Sequence, residues 1–253
     1  MTFISYSHSE DVATITLLRD EKRNAINQEM AEAILEALQR AEDDRARVVV
    51  LRAKAGAKVW CAGHDLSELE SADSLAENPT LKIADQIRSL PLPIIALVEG
   101  GVYGGGLILL LYADIVVATH NSRVAITSNK LGIPLDPELY AFWIRVMGLH
   151  KAKELLVTAQ PITAEDALHA GLFNHLVDPD QLEPTVHQLA SKICACSAES
   201  VAQTKLLLNE IASESTLPGD VLAKSRARNA EIFQSAETRS RIQALLDSIQ
   251  ESN

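Results

Sequence analysis

The sequence predicts an α/β protein with a parallel β-sheet at its core and a helical C-terminal region. Residues 47–51, 94–98 and 115–118 are short, almost entirely apolar runs, as expected of strands that are buried on both faces. Segments with helical spacing separate these runs, and this alternation is typical of a parallel sheet. The chain of 253 residues can bury one large core, which must be aliphatic because only 4% of the residues are aromatic.

The elements of the N-terminal half follow from local patterns. Residues 3–6 and 12–17 are β-type segments, and the polar residues 19–24 form a turn. Apolar side chains recur at helical spacing between Gln28 and Asp44 and predict the first long helix. A second helix is predicted for residues 79–90, and the prolines that follow at 91 and 93 mark its end.

Five glycines lie within residues 100–106 (GGVYGGG), directly before an aliphatic helix at 107–112. Tight packing of a helix on a strand explains one glycine, but rarely five. Glycine permits close backbone approach, and the N–H groups at a helix N-terminus lie at the positive end of its dipole. The glycine spacing fits neither a dinucleotide fingerprint nor a phosphate loop that ends in Gly-Lys-Ser/Thr.

Helical patterns dominate the C-terminal half. Helices are predicted at residues 139–147, 150–159, 164–170, 181–196 and 198–213, and in a last stretch that reaches 249. We expect one continuous structural unit, with a core in residues 1–190 and a helical packing or trimerisation region in residues 191–253.

Composition excludes several classes of function. The chain has 23 basic and 34 acidic side chains and a formal charge of −11, which argues against nucleic acid or an anionic membrane as a partner. Three cysteines are too few for a disulfide framework, and Cys194 and Cys196 lack a second pair of metal ligands, so no metal is expected. The polar N-terminus does not resemble a signal peptide, and we expect a soluble cytoplasmic protein.

Several motifs together make the chain resemble the crotonase superfamily, also called the enoyl-CoA hydratase/isomerase family, over nearly its whole length. The matching segments are residues 23–27 (RNAIN), 61–66 (CAGHDL), 100–106, 113–115 (ADI), 131–134 (LGIP), 161–164 (PITA) and 170–172 (AGL). The resemblance implies the crotonase fold, a ββα superhelix with a C-terminal helical region, assembled as a homotrimer or homohexamer. It also implies an acyl-CoA thioester substrate, no cofactor beyond the coenzyme A of that substrate, and a role in fatty acid metabolism.

The resemblance assigns a site. Two backbone N–H groups form an oxyanion hole for the thioester carbonyl in this family, at the positions of His64 and Gly105. A thioester enolate carries negative charge on oxygen and needs such preorganised donors. Contacts with the substrate are implied for Arg23, Ala25, Ala62, Gly63, Asp65, Leu66, Ile108, Thr127 and Leu135. The loop at residues 67–80 is expected to shape the acyl pocket.

The reaction is less constrained than the site. Hydratases of the family add water with two glutamates, but the matching positions hold Ile108 and Ser128, so hydration is not expected. Isomerases of the family move one proton with a single carboxylate, and Asp136 occupies such a position. This isomerase mechanism is our leading prediction, although Asp136 before Pro137 also has the pattern of a helix N-cap.

Two further interpretations stay open. The methylmalonyl-CoA decarboxylases of the family resemble the chain at residues 61–68, 98–100 and 159–163, and decarboxylation needs no strong base because carbon dioxide leaves. Their nearby glutamate and tyrosine, however, correspond to Ile108 and Leu135. The remaining interpretation is a non-catalytic protein that binds acyl-CoA.

Overall fold

A computed structural model describes residues 3–71, 78–213 and 217–251. Ten strands occur in these residues: β1 (Ile4–Ser9), β2 (Val12–Leu17), β3 (Val48–Ala53), β4 (Val59–Cys61), β5 (Ile94–Val98), β6 (Gly101–Tyr103), β7 (Ile115–Thr119), β8 (Arg123–Ala125), β9 (Ile162–Thr163) and β10 (His175–Val177). The α-helices of the same ranges are α1 (Gln28–Asp43), α2 (Leu66–Ser71), α3 (Pro79–Ser89), α4 (Gly105–Tyr112), α5 (Pro137–Thr158), α6 (Ala164–His169), α7 (Pro179–Cys194), α8 (Ala198–Ser213), α9 (Gly219–Phe233) and α10 (Ala236–Glu251).

The strands form two sheets that share a repeating unit of two strands and a helical segment. One sheet has the order β1-β2-β3-β5-β7-β10, and the other has the order β4-β6-β8-β9. In each unit the first strand (β3, β5 or β7) joins the large sheet in parallel, and the second (β4, β6 or β8) joins the small one. The result is the predicted ββα superhelix.

The large sheet is covered on both faces, which explains its apolar strands. All five residues of β5 are buried. One face of the sheet, with Val50 and Val117, packs against Leu182 and Val186 of α7. The other face belongs to the main core, together with Ile34 of α1. Parallel strands buried in this way read as continuous hydrophobic runs, and the sequence prediction for them is confirmed.

The structure differs from the sequence prediction in short elements. The sequence alone places residues 60–66 and 100–106 in loops, but residues 60–61 belong to strand β4 and residues 101–103 form strand β6. In the loop expected at residues 67–80, residues 67–71 are helical and belong to α2. Three-residue strands beside glycines carry too little periodicity to be recognised. The two helices predicted for residues 139–147 and 150–159 are confirmed, because both lie within α5 and Gly148, with a φ of 72°, breaks the helix between them.

The C-terminal helices lie on the core. In α8 the Lys205 Nζ atom is 2.9 Å from Asp114 Oδ2 and 2.7 Å from the Leu92 carbonyl oxygen. In α9 the Asn229 side chain donates a 2.7 Å hydrogen bond to the Leu135 carbonyl. No helix in the described ranges is long and apolar enough to cross a membrane. The homotrimer or homohexamer stays a prediction. The Leu208 and Ile211 side chains of α8 are exposed in the single chain.

Candidate active site

The candidate oxyanion hole is built at one edge of the small sheet. Strands β4 and β6 are parallel neighbours, and Cys61 pairs with Val102. Because parallel strands end at the same edge, the segments that follow them lie side by side. The sheet therefore brings His64, after β4, and Gly105, after β6, next to each other.

Gly63 allows these two segments to approach closely. Its φ of 89° is a left-handed conformation that side chains disfavour. A Cβ atom at position 63 would lie 2.5 Å from the Gly105 amide nitrogen and 2.9 Å from the Tyr103 carbonyl oxygen. Only glycine fits at this position without displacing the neighbouring segment.

The backbone leaves the N–H groups of His64 and Gly105 available. On either side of His64, the Gly63 carbonyl and the Asp65 N–H are bonded to Ile26 at 2.7 and 2.9 Å, so the His64 N–H faces away from that residue. Gly105 is the first residue of α4, where N–H groups have no partner within the helix. Neither N–H has an acceptor in residues 3–71, 78–213 and 217–251. The pair can hold a negatively charged oxygen.

The His64 imidazole is neutral at physiological pH. Its side chain is 11% exposed, and burial lowers its pKa to about 4, although the nearby Asp65 carboxylate acts to raise it. The Nε2 atom is 3.8 Å from Glu68 Oε2, and Nδ1 is buried with no hydrogen-bond partner within the described part of the chain. The side chain therefore adds no positive charge to the hole.

A pocket of about 720 Å³ adjoins the two N–H groups. One wall is a face of α4 with Gly105, Ile108 and Tyr112, which lie three and four residues apart and so share one side of the helix. Further lining residues lie between Ile126 and Leu139 and on α9. Its apolar part is formed by the side chains of Leu66, Leu69, Leu81, Ile108, Ile126, Leu131, Ile133, Leu135, Leu139 and Phe233. Charged side chains line the rest, namely Lys82, Asp85, Asp136, Glu138 and Arg226.

The structure brings most of the predicted site residues to this pocket. Its lining includes Ala62, His64, Leu66, Gly105, Ile108, Thr127, Leu135 and Asp136. Four predicted site residues lie outside that lining: Arg23, Ala25, Gly63 and Asp65. They take part in the contacts that fix the loop after β4. The loop at residues 67–80 is expected to shape the acyl pocket, and residues 72–77 of it lie outside the described residues.

Asp65 makes structural contacts. Its carboxylate is 2.6 Å from the Arg19 guanidinium, which also donates to the Ala25 carbonyl at 2.7 Å. The Ala62 N–H donates to the Arg23 carbonyl at 3.0 Å. Burial acts to raise the pKa of Asp65, but hydrogen bonds from Ser67 and Arg19 outweigh it and lower the pKa. This network fixes the backbone that presents the His64 N–H.

Asp136 lies in the pocket wall with both carboxylate oxygens engaged. It is the N-cap of α5 and accepts a 3.0 Å hydrogen bond from the Glu138 N–H. Arg226 of α9 forms ion pairs with Asp136 at 3.0 Å and with Glu138 at 3.1 Å. The remaining carboxylate in the described lining, Asp85, is 3.6 Å from an Arg88 nitrogen. Each described carboxylate that lines the pocket is thus ion-paired.

Some pocket residues had no place in the sequence-based site. Tyr112 lies four residues after Ile108 on a predicted helix, and this spacing could have identified it. Arg226, Asn229 and Phe233 reach the pocket through the tertiary packing of α9, which no local pattern encodes. Ser128, at a position where hydratases carry glutamate, lines the pocket with a buried hydroxyl that has no partner among the described residues.

Comparisons with known proteins give one family and two groups of relatives. The model of the enoyl-CoA hydratase/isomerase family matches residues 7–251. The chain is 31% identical to methylmalonyl-CoA decarboxylase of Escherichia coli over 239 aligned residues. The aligned region covers 93% of this chain and 92% of that protein. It is 30% identical to the short-chain-enoyl-CoA hydratase of Clostridium acetobutylicum over 202 residues, 78% of this chain and 77% of that protein.

Solved structures give the same two groups of relatives. Methylmalonyl-CoA decarboxylase in complex with 2-nitronate-propionyl-CoA superposes with a TM-score of 0.93 at 29% identity, over 98% of this chain and 96% of that one. An enoyl-CoA hydratase from Mycobacterium tuberculosis has a TM-score of 0.79 at 28% identity, over 92% of this chain and 100% of that one.

Proposed function

The chain belongs to the enoyl-CoA hydratase/isomerase family, and we propose that it decarboxylates a short 2-carboxyacyl-CoA of the methylmalonyl-CoA type. The substrate thioester oxygen binds to the N–H groups of His64 and Gly105. The acyl group occupies the pocket along α4. The higher TM-score of the decarboxylase, 0.93 against 0.79 for the hydratase, supports this choice among the reactions of the family.

The ion pairing of the pocket carboxylates carries the proposal. To act as a base, Asp136 would have to give up its ion pair with Arg226 and its cap of α5 when it takes a proton. The two positions where hydratases hold glutamates, Ile108 and Ser128, have no ionisable group. A site that stabilises an enolate but has no unpaired carboxylate among its described lining residues suits a reaction that needs no base.

Decarboxylation uses such a site directly. The bond between the substrate Cα and its carboxylate carbon breaks, carbon dioxide leaves, and the electron pair becomes the thioester enolate. The N–H groups of His64 and Gly105 stabilise the enolate oxygen, and the positive end of α4 adds to this effect. Cα then takes a proton from water, which yields the saturated acyl-CoA. Aliphatic side chains such as Ile108, one turn of α4 from Gly105, solvate the departing carboxylate poorly, and this favours its loss.

Double-bond isomerisation of a 3-enoyl-CoA is a second candidate. It is favoured by one observation, the position of Asp136 in the wall of the same pocket. In this reaction Asp136 would remove a proton from Cα and return it to Cγ, with the same oxyanion hole.

One experiment separates the two candidates. The purified protein is given methylmalonyl-CoA, malonyl-CoA and a 3-enoyl-CoA, and the products are separated by chromatography. We expect carbon dioxide release from a carboxyacyl-CoA, and we expect Asp136→Asn to retain it within about threefold, because asparagine keeps the helix cap. Glu138→Gln, which weakens the same ion-pair cluster, is the matched control.

Two other outcomes would refute decarboxylation. Isomerisation of the 3-enoyl-CoA that is abolished by Asp136→Asn and retained by Glu138→Gln would establish the second candidate and refute the first. Tight binding of CoA thioesters without turnover of any of them would identify a non-catalytic protein.

A further inference from the structure

The pocket extends away from the oxyanion hole along two neighbouring helices. At one end, a Cβ atom on Gly105 of α4 would lie 2.6 Å from the Thr80 Oγ1 atom of α3, so both helices begin at the hole. At the other end, Asp85 of α3 and Tyr112 of α4 both line the pocket. Tyr112 follows Gly105 by seven residues, about 10.5 Å along the helix axis. The pocket is therefore longer than an acyl group that ends close to the thioester carbonyl requires.

The lining changes from aliphatic to polar along this length. Leu81 and Ile108, in the first turns of α3 and α4, make the part next to the hole aliphatic. The far end is polar, and we call its lining residues the distal subsite: Asp85, Tyr112, Asp136, Glu138 and Arg226. The four charged side chains of the distal subsite are between 28% and 69% exposed, so water reaches them. An apolar chain end would gain little there, because the hydrophobic effect requires that apolar surface is removed from water.

Tyr112 contributes an available hydrogen-bond donor to the distal subsite. Its ring packs against Phe142 with centroids 4.8 Å apart, which holds the side chain in place. The hydroxyl has no hydrogen-bond partner in residues 3–71, 78–213 and 217–251. Burial raises the pKa of Tyr112 to about 12, so the phenol keeps its proton at physiological pH.

The charges around this hydroxyl nearly balance. Arg226 pairs with Asp136 at 3.0 Å and with Glu138 at 3.1 Å. Arg88 lies 3.6 Å from Asp85. The carboxylates and guanidinium groups thus already satisfy one another, and neither sign of charge is free to attract a charged ligand.

The lysine in the described lining lies away from the distal subsite. The Lys82 Nζ atom donates to Gln28 Oε1 at 3.4 Å, on the α1 side of α3. The Gln28 N–H in turn donates to the Glu68 carboxylate, which is 3.8 Å from His64 Nε2. These contacts hold Lys82 near the end of the pocket that contains the hole.

We propose that the distal subsite binds the terminal hydroxyl of a longer acyl group, and that the site takes ω-hydroxyacyl-CoA thioesters in addition to short acyl groups. A hydroxyl both accepts and donates hydrogen bonds, so it can accept from Tyr112 while it donates to a carboxylate of the subsite. A terminal carboxylate would lie among three carboxylates, and a terminal ammonium would have to displace the guanidinium groups that pair with them. The inference rests on one part of the proposed function, the binding of the thioester oxygen in the hole.

Saturated acyl-CoA thioesters test the distal subsite without turnover. They keep the carbonyl for the hole and have neither a carboxylate to lose nor a double bond to move. One series of increasing chain length ends in a hydroxyl, and a second series of the same lengths ends in a methyl group. Calorimetry gives the ratio of the two dissociation constants at each length.

The expected ratio changes sign with chain length. Short chains should bind more tightly with a methyl end, because their hydroxyl would lie among aliphatic side chains without a partner. At the length that reaches Tyr112, the wild type should prefer the hydroxyl by about 2- to 10-fold, the net contribution of one hydrogen bond.

Two variants locate the effect. Tyr112→Phe keeps the ring on Phe142 but removes the donor, and the preference for the hydroxyl should disappear. Leu81→Ala, in the aliphatic part of the pocket, is the matched control, because it should weaken both series alike and leave their ratio unchanged. A wild type that prefers the methyl end at every length, or an unchanged preference in Tyr112→Phe, would overturn the inference. Tighter binding of the same chain with a terminal carboxylate or ammonium would overturn it as well.

The failure of the proposed function looks different from the failure of this inference. If no carboxyacyl-CoA releases carbon dioxide but Tyr112→Phe abolishes the hydroxyl preference, the distal subsite stands and decarboxylation is wrong. If methylmalonyl-CoA releases carbon dioxide and no chain length shows a preference for the hydroxyl, decarboxylation stands and the distal subsite is wrong.

Discussion

Replacement of Gly63 by alanine perturbs the oxyanion hole through its backbone. The new Cβ atom would lie 2.5 Å from the Gly105 amide nitrogen, whereas ordinary contact begins at 3.4 Å, so the two segments must separate by about 0.9 Å. A hydrogen bond of about 2.9 Å from this N–H to the enolate oxygen would lengthen to about 3.8 Å, too far to count as one.

The separation should remove one of the two donors. Loss of one oxyanion-hole donor costs about 10²- to 10³-fold in kcat. Gly63→Ala also forces alanine into a left-handed conformation, which costs about 1–2 kcal/mol of stability and has to be separated from the catalytic effect.

Gly56→Ala provides the matched control. Gly56 has a φ of 76°, close to the 89° of Gly63, but a Cβ atom there meets nothing within 4 Å. The assay compares kcat and the affinity for 2-nitronate-propionyl-CoA, an anionic mimic of the enolate, with urea unfolding to measure stability. Equal kcat and equal nitronate affinity in the two variants would refute the proposed hole, whatever their stability.

Two further predictions concern buried charge. Lys205→Met leaves the Asp114 carboxylate in its largely buried position without its partner, so the free energy of unfolding should fall by about 3–5 kcal/mol in urea titration; an unchanged midpoint would contradict a stabilising pair. His64 has a folded pKa of about 4 against 6.5 in the unfolded chain, so the unfolded chain binds the extra proton. Stability should therefore be complete above pH 6.5 and fall towards pH 4 by up to about 1.4 kcal/mol per pH unit, a slope that His64→Gln removes; equal slopes in both proteins would show that His64 titrates normally.

The strands of the large sheet could be predicted because the signal for each of them lies within its own residues. Strands buried on both faces need an unbroken apolar composition, and residues 94–98 show it without any knowledge of their neighbours. Strands β4 and β6 have three residues each and depend on their pairing with each other, which no window of the sequence contains. Yet these two strands align the ends from which the hole is built.

The site divides in the same way. Motifs shared with the family predict His64 and Gly105 as the oxyanion hole, because a hole made of backbone N–H groups needs glycines such as Gly63 and Gly105 at fixed places in the chain. The contact of Arg226 with Asp136 joins residues 90 positions apart and depends on how α9 packs over the pocket. Only the structure shows that the predicted base is also an ion-pair partner, and this contact moves the proposed reaction from isomerisation to decarboxylation.

The arrangement of α4 explains how one fold can support different reactions. The helix contributes the N–H of its first residue, Gly105, and one face of side chains, Ile108 and Tyr112, that lines the pocket. In the proposed binding mode, a glutamate at position 108 would place a base next to Cα, whereas isoleucine does not, and both side chains leave the same two N–H groups for the enolate oxygen. Because charge stabilisation resides in the backbone and proton transfer in side chains, a substitution on this face changes the reaction without disturbing the hole.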